Sequence, residues 1–118
     1  MKIFKQLIVW QKSIDLFIAC NKLIKKLPRD ERFECSCQLR RASLSLPSNI
    51  AEGSAYTSVP TYKIFLERSL GSSFEVETVL IAIGKSCNDL FTEEIEYCLK
   101  LVDEIQKMLI AFINKLKS

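Results

Sequence analysis

Ile95, Leu99, Val102, Ile105, Leu109, Phe112 and Leu116 follow one another at intervals of four, three, three, four, three and four residues. That spacing lays one apolar seam along about six turns of α-helix, close to a heptad pattern. Thr92 is the expected N-cap, with Glu93 and Glu94 in the first turn where carboxylates complement the helix dipole. Leu101, Met108 and Ile110 add apolar surface outside the seam. Such a helix either has a wide core face or touches more than its own bundle, which means another copy of the chain.

Three further segments carry the same period. The first runs from about Lys5 to Lys26, with Leu7, Trp10, Ile14, Phe17, Ile18, Ile24 and Leu27 as its expected inner face, and Pro28 stops it. The second starts behind Asp30 as N-cap, at about Glu31, and reaches about Ala55. The third runs from about Pro60 to Cys87, capped by Ser58 with Pro60 in its first turn. Tyr62, Phe65, Leu66, Ser69, Ser72, Ser73, Val76, Val79, Leu80 and Ile83 mark its inner face, and Asn88-Asp89 breaks it. Three glycines and three prolines in 118 residues are too few for a turn-rich β architecture. The expectation is one all-α domain over residues 1–118, an antiparallel up-down-up-down four-helix bundle.

The second helix holds the least ordinary stretch, Gln38–Gly53. Leu39, Ala42, Leu46 and Ile50 fall on one face; Arg41, Ser45, Ser48 and Glu52 fall on another. Pro47 cannot donate to the carbonyl four residues back, so a kink is expected there. Gly53 is either a helix stop or a point of close contact. The serine stripe suits close approach of a second backbone, and Ser69–Ser73 on the third helix is a matching small stretch. Two readings stay open for Arg40, Arg41, Asn49 and Glu52: polar groups satisfied locally on a core helix, or an interface or binding surface. Glu75 is the expected neighbour of Arg40 or Arg41.

Charge is uneven. Residues 1–50 hold ten Lys and Arg against four Asp and Glu, a balance of +6; residues 51–118 hold seven against ten, a balance of −3. The first half is the side an anionic partner would meet. Lys22, Lys25, Lys26 and Arg29 cluster at the end of the first helix, where they serve the helix dipole or a nucleic acid. No apolar run reaches the ~18 residues of a membrane span, and the amphipathic start lacks the pattern of a signal peptide; a cytoplasmic protein is expected. Five cysteines cannot all pair internally, and reduced thiols are expected. Without histidine, mixed Cys/His zinc sites and Glu-x-x-His di-iron sites are excluded. Acid–base chemistry would fall to Glu52, Glu75 or Glu77 alone, so no enzyme, cofactor, metal or small-molecule substrate is expected.

With Phe4-x-x-Leu7-x-Val9-Trp10-Gln11, Leu27-Pro28-x-x-Glu31, Gln38-Leu39-Arg40-Arg41-Ala42, Ser45-x-Pro47-x-Asn49-Ile50-Ala51-Glu52-Gly53 and Phe65-Leu66 through Gly71-Ser72 to Glu75, the chain resembles the four-helix-bundle family of 23S ribosomal RNA intervening-sequence proteins. It is also similar to their relatives, the accessory proteins of diversity-generating retroelements. The resemblance runs from Phe4 to about Leu109. It implies a homopentamer around a central channel, with nucleic-acid binding attributed to the more basic retroelement relatives. Glu34 and Cys35 replace the usual glycine and leucine, and Tyr56 stands where an arginine is usual, which removes a cation from the loop after the second helix. The expected partners are the chain itself and RNA or a ribonucleoprotein, with a purely structural, protein-binding module as the alternative.

Overall fold

The computed structural model describes residues 3–28 and 33–116. A 3-10 turn, Phe4–Gln6, leads into four α-helices: α1, Ile8–Lys26; α2, Phe33–Gly53; α3, Val59–Ser86; and α4, Thr92–Lys115. Each helix packs on the two beside it in the cyclic order α1-α2-α3-α4, and none on the one diagonally opposite. With short connections this is the antiparallel up-down-up-down four-helix bundle. Its extents are 46 × 20 × 20 Å. The long one matches the 28 residues of α3, which span about 42 Å at 1.5 Å per residue.

The ends of α3 follow the residues expected to set them. Ser58 is its N-cap and accepts a hydrogen bond from the Thr61 amide, with Pro60 in the first turn. At the other end Asn88 and Asp89 turn left-handed, at φ 52° and 61°. The Asp89 amide donates to the Gly84 carbonyl at 3.2 Å and the Asn88 amide to that of Lys85 at 3.4 Å. These are the two bonds of a Schellman stop, with asparagine in the position that glycine usually holds. The α4 cap differs from expectation. Phe91 is the N-cap, while Thr92 is the first helical residue and its hydroxyl donates to the Asp89 carbonyl at 2.7 Å. Asp30 and Glu31 lie outside the described residues.

The core is one cluster running the length of the bundle. Leu39, Ala42, Leu46 and Ile50 of α2 are all buried, as their spacing required. On α1 the expected inner face holds only at the C-terminal end, where Ile24 and Leu27 are buried. Val9, Ser13, Leu16, Cys20, Leu23 and Leu27 point inward, while Leu7, Trp10, Ile14 and Phe17 are half-buried and Ile18 is exposed. Small side chains at Ser13 and Cys20 let neighbouring helices approach, and the larger apolar residues are displaced to the flanks. On α4, Cys98 and Leu101 take the seam positions beside Val102, while Leu99, Phe112 and Leu116 are half-buried.

Every buried serine has a carbonyl to donate to. Ser13 bonds Trp10, Ser43 bonds Arg40 and Ser73 bonds Leu70, each three residues back in its own helix, and Ser54, in the turn just after α2, bonds Ala51 in the same way. Ser69 alone among them crosses between helices, donating to the Leu46 carbonyl at 2.7 Å. The core therefore holds hydroxyls without the cost of unpaired polar groups.

Candidate functional site

The segment around Pro47 is the seam between α2 and α3. The helix continues through Pro47, which is itself buried. Ser45 sits at the centre of a small network: its hydroxyl accepts from Ser72 of α3 at 3.0 Å, and the Asn49 amide donates to both its carbonyl and its hydroxyl at 2.9 Å. Together with the bond from Ser69 to Leu46, this joins the two serine stretches as their composition anticipated. Gly53 has no positive φ and is a close-contact point: a Cβ there would lie 2.6 Å from Phe65 Cβ and 3.0 Å from Tyr62 Cδ1. Phe65 also carries Tyr56 stacked on its ring at 5.2 Å and the Arg68 guanidinium 5.0 Å from its centroid. Ser45, Pro47, Asn49 and Gly53 thus work as packing residues. Glu52 is exposed.

Arg41 and Glu75 do face each other across this seam. They line one cleft of about 290 Å³ with Gln38, Ala42 and Ser45. Arg41 and Glu52 are three turns apart on α2, about 16 Å along its axis, so they do not form a common ion-binding cleft.

The basic residues are divided among three grooves. Lys22 and Lys26 line the one between α1 and α4, about 350 Å³, with Asp15, Ile18, Glu94 and Tyr97. Lys25 and Arg40 line the one between α1 and α2, about 500 Å³, with Ser36 and Cys37. Arg41 belongs to the α2–α3 cleft, and Arg29 lies outside the described residues. Two of the cations are already engaged. Lys26 donates to Glu94 at 2.8 Å, and that hydrogen bond holds the Glu94 carboxyl below its ordinary range. Arg40 Nε donates to Asn21 at 3.3 Å.

Sequence reasoning missed how α4 divides the bundle's exposed apolar surface. Tyr97, 56% exposed, stands in the α1–α4 groove opposite Ile18, 47% exposed. On the other flank, Gln106 donates to Glu77 of α3 at 2.9 Å and marks the α3–α4 seam. Ile110 lies one turn after Gln106 and Phe74 one turn before Glu77. In an antiparallel pair those displacements run toward the same end. Both residues are about half exposed, and Ile81, two turns from Phe74 on the same face, is 43% exposed. The seven-residue interval from Phe74 to Ile81 was the available signal. Leu101, counted in the apolar surplus, is instead buried.

The carboxylates do not converge. Glu77 is bonded to Gln106, Glu75 faces Arg41, and Glu52 lies near the end of α2. Among the described residues no three Cys, Asp or Glu side chains come close enough to hold a metal ion, and no helix is long and apolar enough to cross a membrane.

No curated protein matches the chain. A crystal structure from Bacteroides thetaiotaomicron, a protein of unknown function from the S23 ribosomal protein family, superposes with a TM-score of 0.80 at 27% identity. The match covers 90% of this chain and 98% of that one. Residues 5–111, from just after Phe4 into the last turns of α4, match the 23S rRNA-intervening sequence proteins. The α2–α3 serine seam and the four-helix order lie within that span, and the chain belongs to the 23S rRNA-intervening sequence protein family.

Proposed function

We propose that this protein is a non-catalytic building block that assembles into a closed homo-oligomer, the ring of five that its family resemblance implies. One observation carries the reading: exposed apolar side chains stand on both flanks of α4, Tyr97 of α4 with Ile18 of α1 on one and Ile110 of α4 with Phe74 and Ile81 of α3 on the other. A ring built from one repeated contact needs two unlike faces on each copy, the first docking on the second of the next. Apolar residues grouped on both flanks of one helix suit that need, and single exposed leucines or isoleucines elsewhere do not require it. Light scattering at micromolar concentration tests it: an oligomer supports the reading and a monomer overturns it.

RNA or a ribonucleoprotein is the partner proposed for the assembled form, contacted by Lys22 and Lys25 near the end of α1 and by the exposed Arg41. Ring formation would repeat these few cations around a common axis. Phosphate contacts would make retention of ribosomal RNA fragments on filters fall steeply with salt. No retention even at about 50 mM salt would remove RNA from the proposal. That outcome would leave a structural, protein-binding assembly, a reading favoured by the division of the cations among three grooves and by the pairing of Lys26 with Glu94.

A further inference from the structure

Of the three grooves that hold the basic residues, the one between α1 and α2 differs in its charge. Asp15 and Glu94 stand in the α1–α4 groove and Glu75 in the α2–α3 cleft. Among the described residues no carboxylate lines the α1–α2 groove. Its polar wall is Lys25, Ser36 and Arg40, beside the half-buried Cys37, and Ile24 and Leu27 form its floor. At about 500 Å³ it falls within the range of small-molecule sites.

Arg40 is held in a defined pose there. The Asn21 side-chain amide donates to the Phe17 carbonyl at 2.9 Å, and its oxygen accepts from Arg40 Nε at 3.3 Å. With Nε engaged, the two terminal nitrogens of the guanidinium keep their N–H donors for another acceptor. Among the described residues Lys25 has no ion-pair partner and the Ser36 hydroxyl no hydrogen bond. Two cations and a hydroxyl thus share one groove with no anion between them.

We propose that the α1–α2 groove binds a terminal phosphate, a phosphomonoester carried on a compact organic body such as a nucleoside. Arg40 takes two phosphate oxygens through its terminal nitrogens, Lys25 supplies the second positive charge and the Ser36 hydroxyl donates to a phosphate oxygen. The organic body lies against Ile24 and Leu27. Charge selects the monoester. It carries about −1.5 to −2 near neutral pH, which two cations match, whereas each phosphate inside a strand carries a single charge. The site therefore goes beyond the backbone contacts proposed for RNA and stands or falls separately from them. A free nucleotide and the phosphorylated end of a strand share this chemistry.

The test is calorimetric titration of the full chain with adenosine 5′-monophosphate, with the alkylation rate of Cys37 as a second readout. Saturable binding that slows Cys37 alkylation is expected, with no binding of adenosine and weaker binding of inorganic phosphate. A dinucleotide whose one phosphate is an internal diester should bind at least roughly tenfold more weakly. Arg40→Ala and Lys25→Ala should each weaken binding roughly ten- to a hundredfold, the effect of losing a charge-assisted hydrogen bond. Lys100→Ala removes an equal charge from an exposed position on α4 and should change nothing. A 5′-phosphorylated trinucleotide that binds more tightly than the mononucleotide would assign the phosphate to a strand end; equal or weaker binding would assign it to a free nucleotide. Absence of binding, a diester or inorganic phosphate that binds as tightly as the mononucleotide, binding without protection of Cys37, or an equal loss in Lys100→Ala would each overturn the proposal.

Discussion

A methyl group added at Gly53 has nowhere to go. Its position is 2.6 Å from the Cβ of Phe65, an atom fixed to the α3 backbone. Gly53→Ala should therefore push α2 from α3 and destabilise the fold by about 1–3 kcal/mol, the usual range for overpacking, measured as a lower urea midpoint. An unchanged midpoint would mean that the corner is looser than its geometry. Tyr62, which supplies the next contact to Gly53, carries a hydroxyl buried without a hydrogen-bond partner among the described residues. Its ring packs edge-on against Phe112, so the aromatic contact does not need the oxygen. Tyr62→Phe should leave stability unchanged or raise it; a loss above ~1 kcal/mol would reveal a partner for the hydroxyl. Desolvation pushes the Tyr62 pKa upward, in keeping with a phenol that stays neutral. Glu94 shows the opposite sign. Its carboxyl is held below the ordinary 4.5 by the hydrogen bond from Lys26. A folded-state pKa below the unfolded one contributes stability above the unfolded value and loses it as pH falls through the folded value. The difference in unfolding midpoint between the wild type and Lys26→Gln should accordingly be present at neutral pH, fade as the pH falls below 4.5, and vanish once it is below the folded-state value. A difference that persists there would assign it to packing of the lysine stem.

Among the helices, α3 shows how closely local residues set an element. Ser58 begins it, and Asn88 with Asp89 ends it in a left-handed turn that glycine adopts with less strain. Asn88→Gly should stabilise the protein by up to ~1 kcal/mol in urea unfolding; destabilisation would show that the asparagine side chain contributes something the turn geometry does not. These signals were legible in the sequence because caps and breakers act within a few residues. The α2–α3 contact was legible for a related reason: two runs of serine at helical spacing have little to offer each other except close approach, and Ser45, Ser69 and Ser72 realise it. The face of α1 was legible only at its end, where Ile24 and Leu27 are buried. Apolar residues surround that helix, so period alone does not choose between Leu7-Trp10-Ile14 and Val9-Leu16-Leu23. The choice depends on neighbours that need small residues at Ser13 and Cys20, which is information held by other helices. The α4 seam shifted for the same reason, admitting Cys98 at a core position.

For the molecule as a whole, the fold is the one expected from the sequence, but the structure disperses the residues expected to form one site. Spacing placed Arg40 and Arg41 side by side in the chain, yet adjacent residues on a helix point about 100° apart, and the two line different grooves. Surface that belongs to assembly is equally hard to read, since an exposed isoleucine and a buried one look alike until the bundle is closed. The proposal that the bundle docks through two unlike faces, one on either flank of α4, has a direct test in sedimentation velocity of two variants alone and mixed. Tyr97→Lys damages the first face and Phe74→Lys the second. With helicity unchanged by circular dichroism, each variant alone should be monomeric, because each lacks one half of the only contact. Mixed in equal amounts, they retain one intact pair of faces between them and should form a heterodimer that grows no further. Assembly of either variant alone to the wild-type size, or a mixture that stays monomeric while the wild type assembles, would contradict the account.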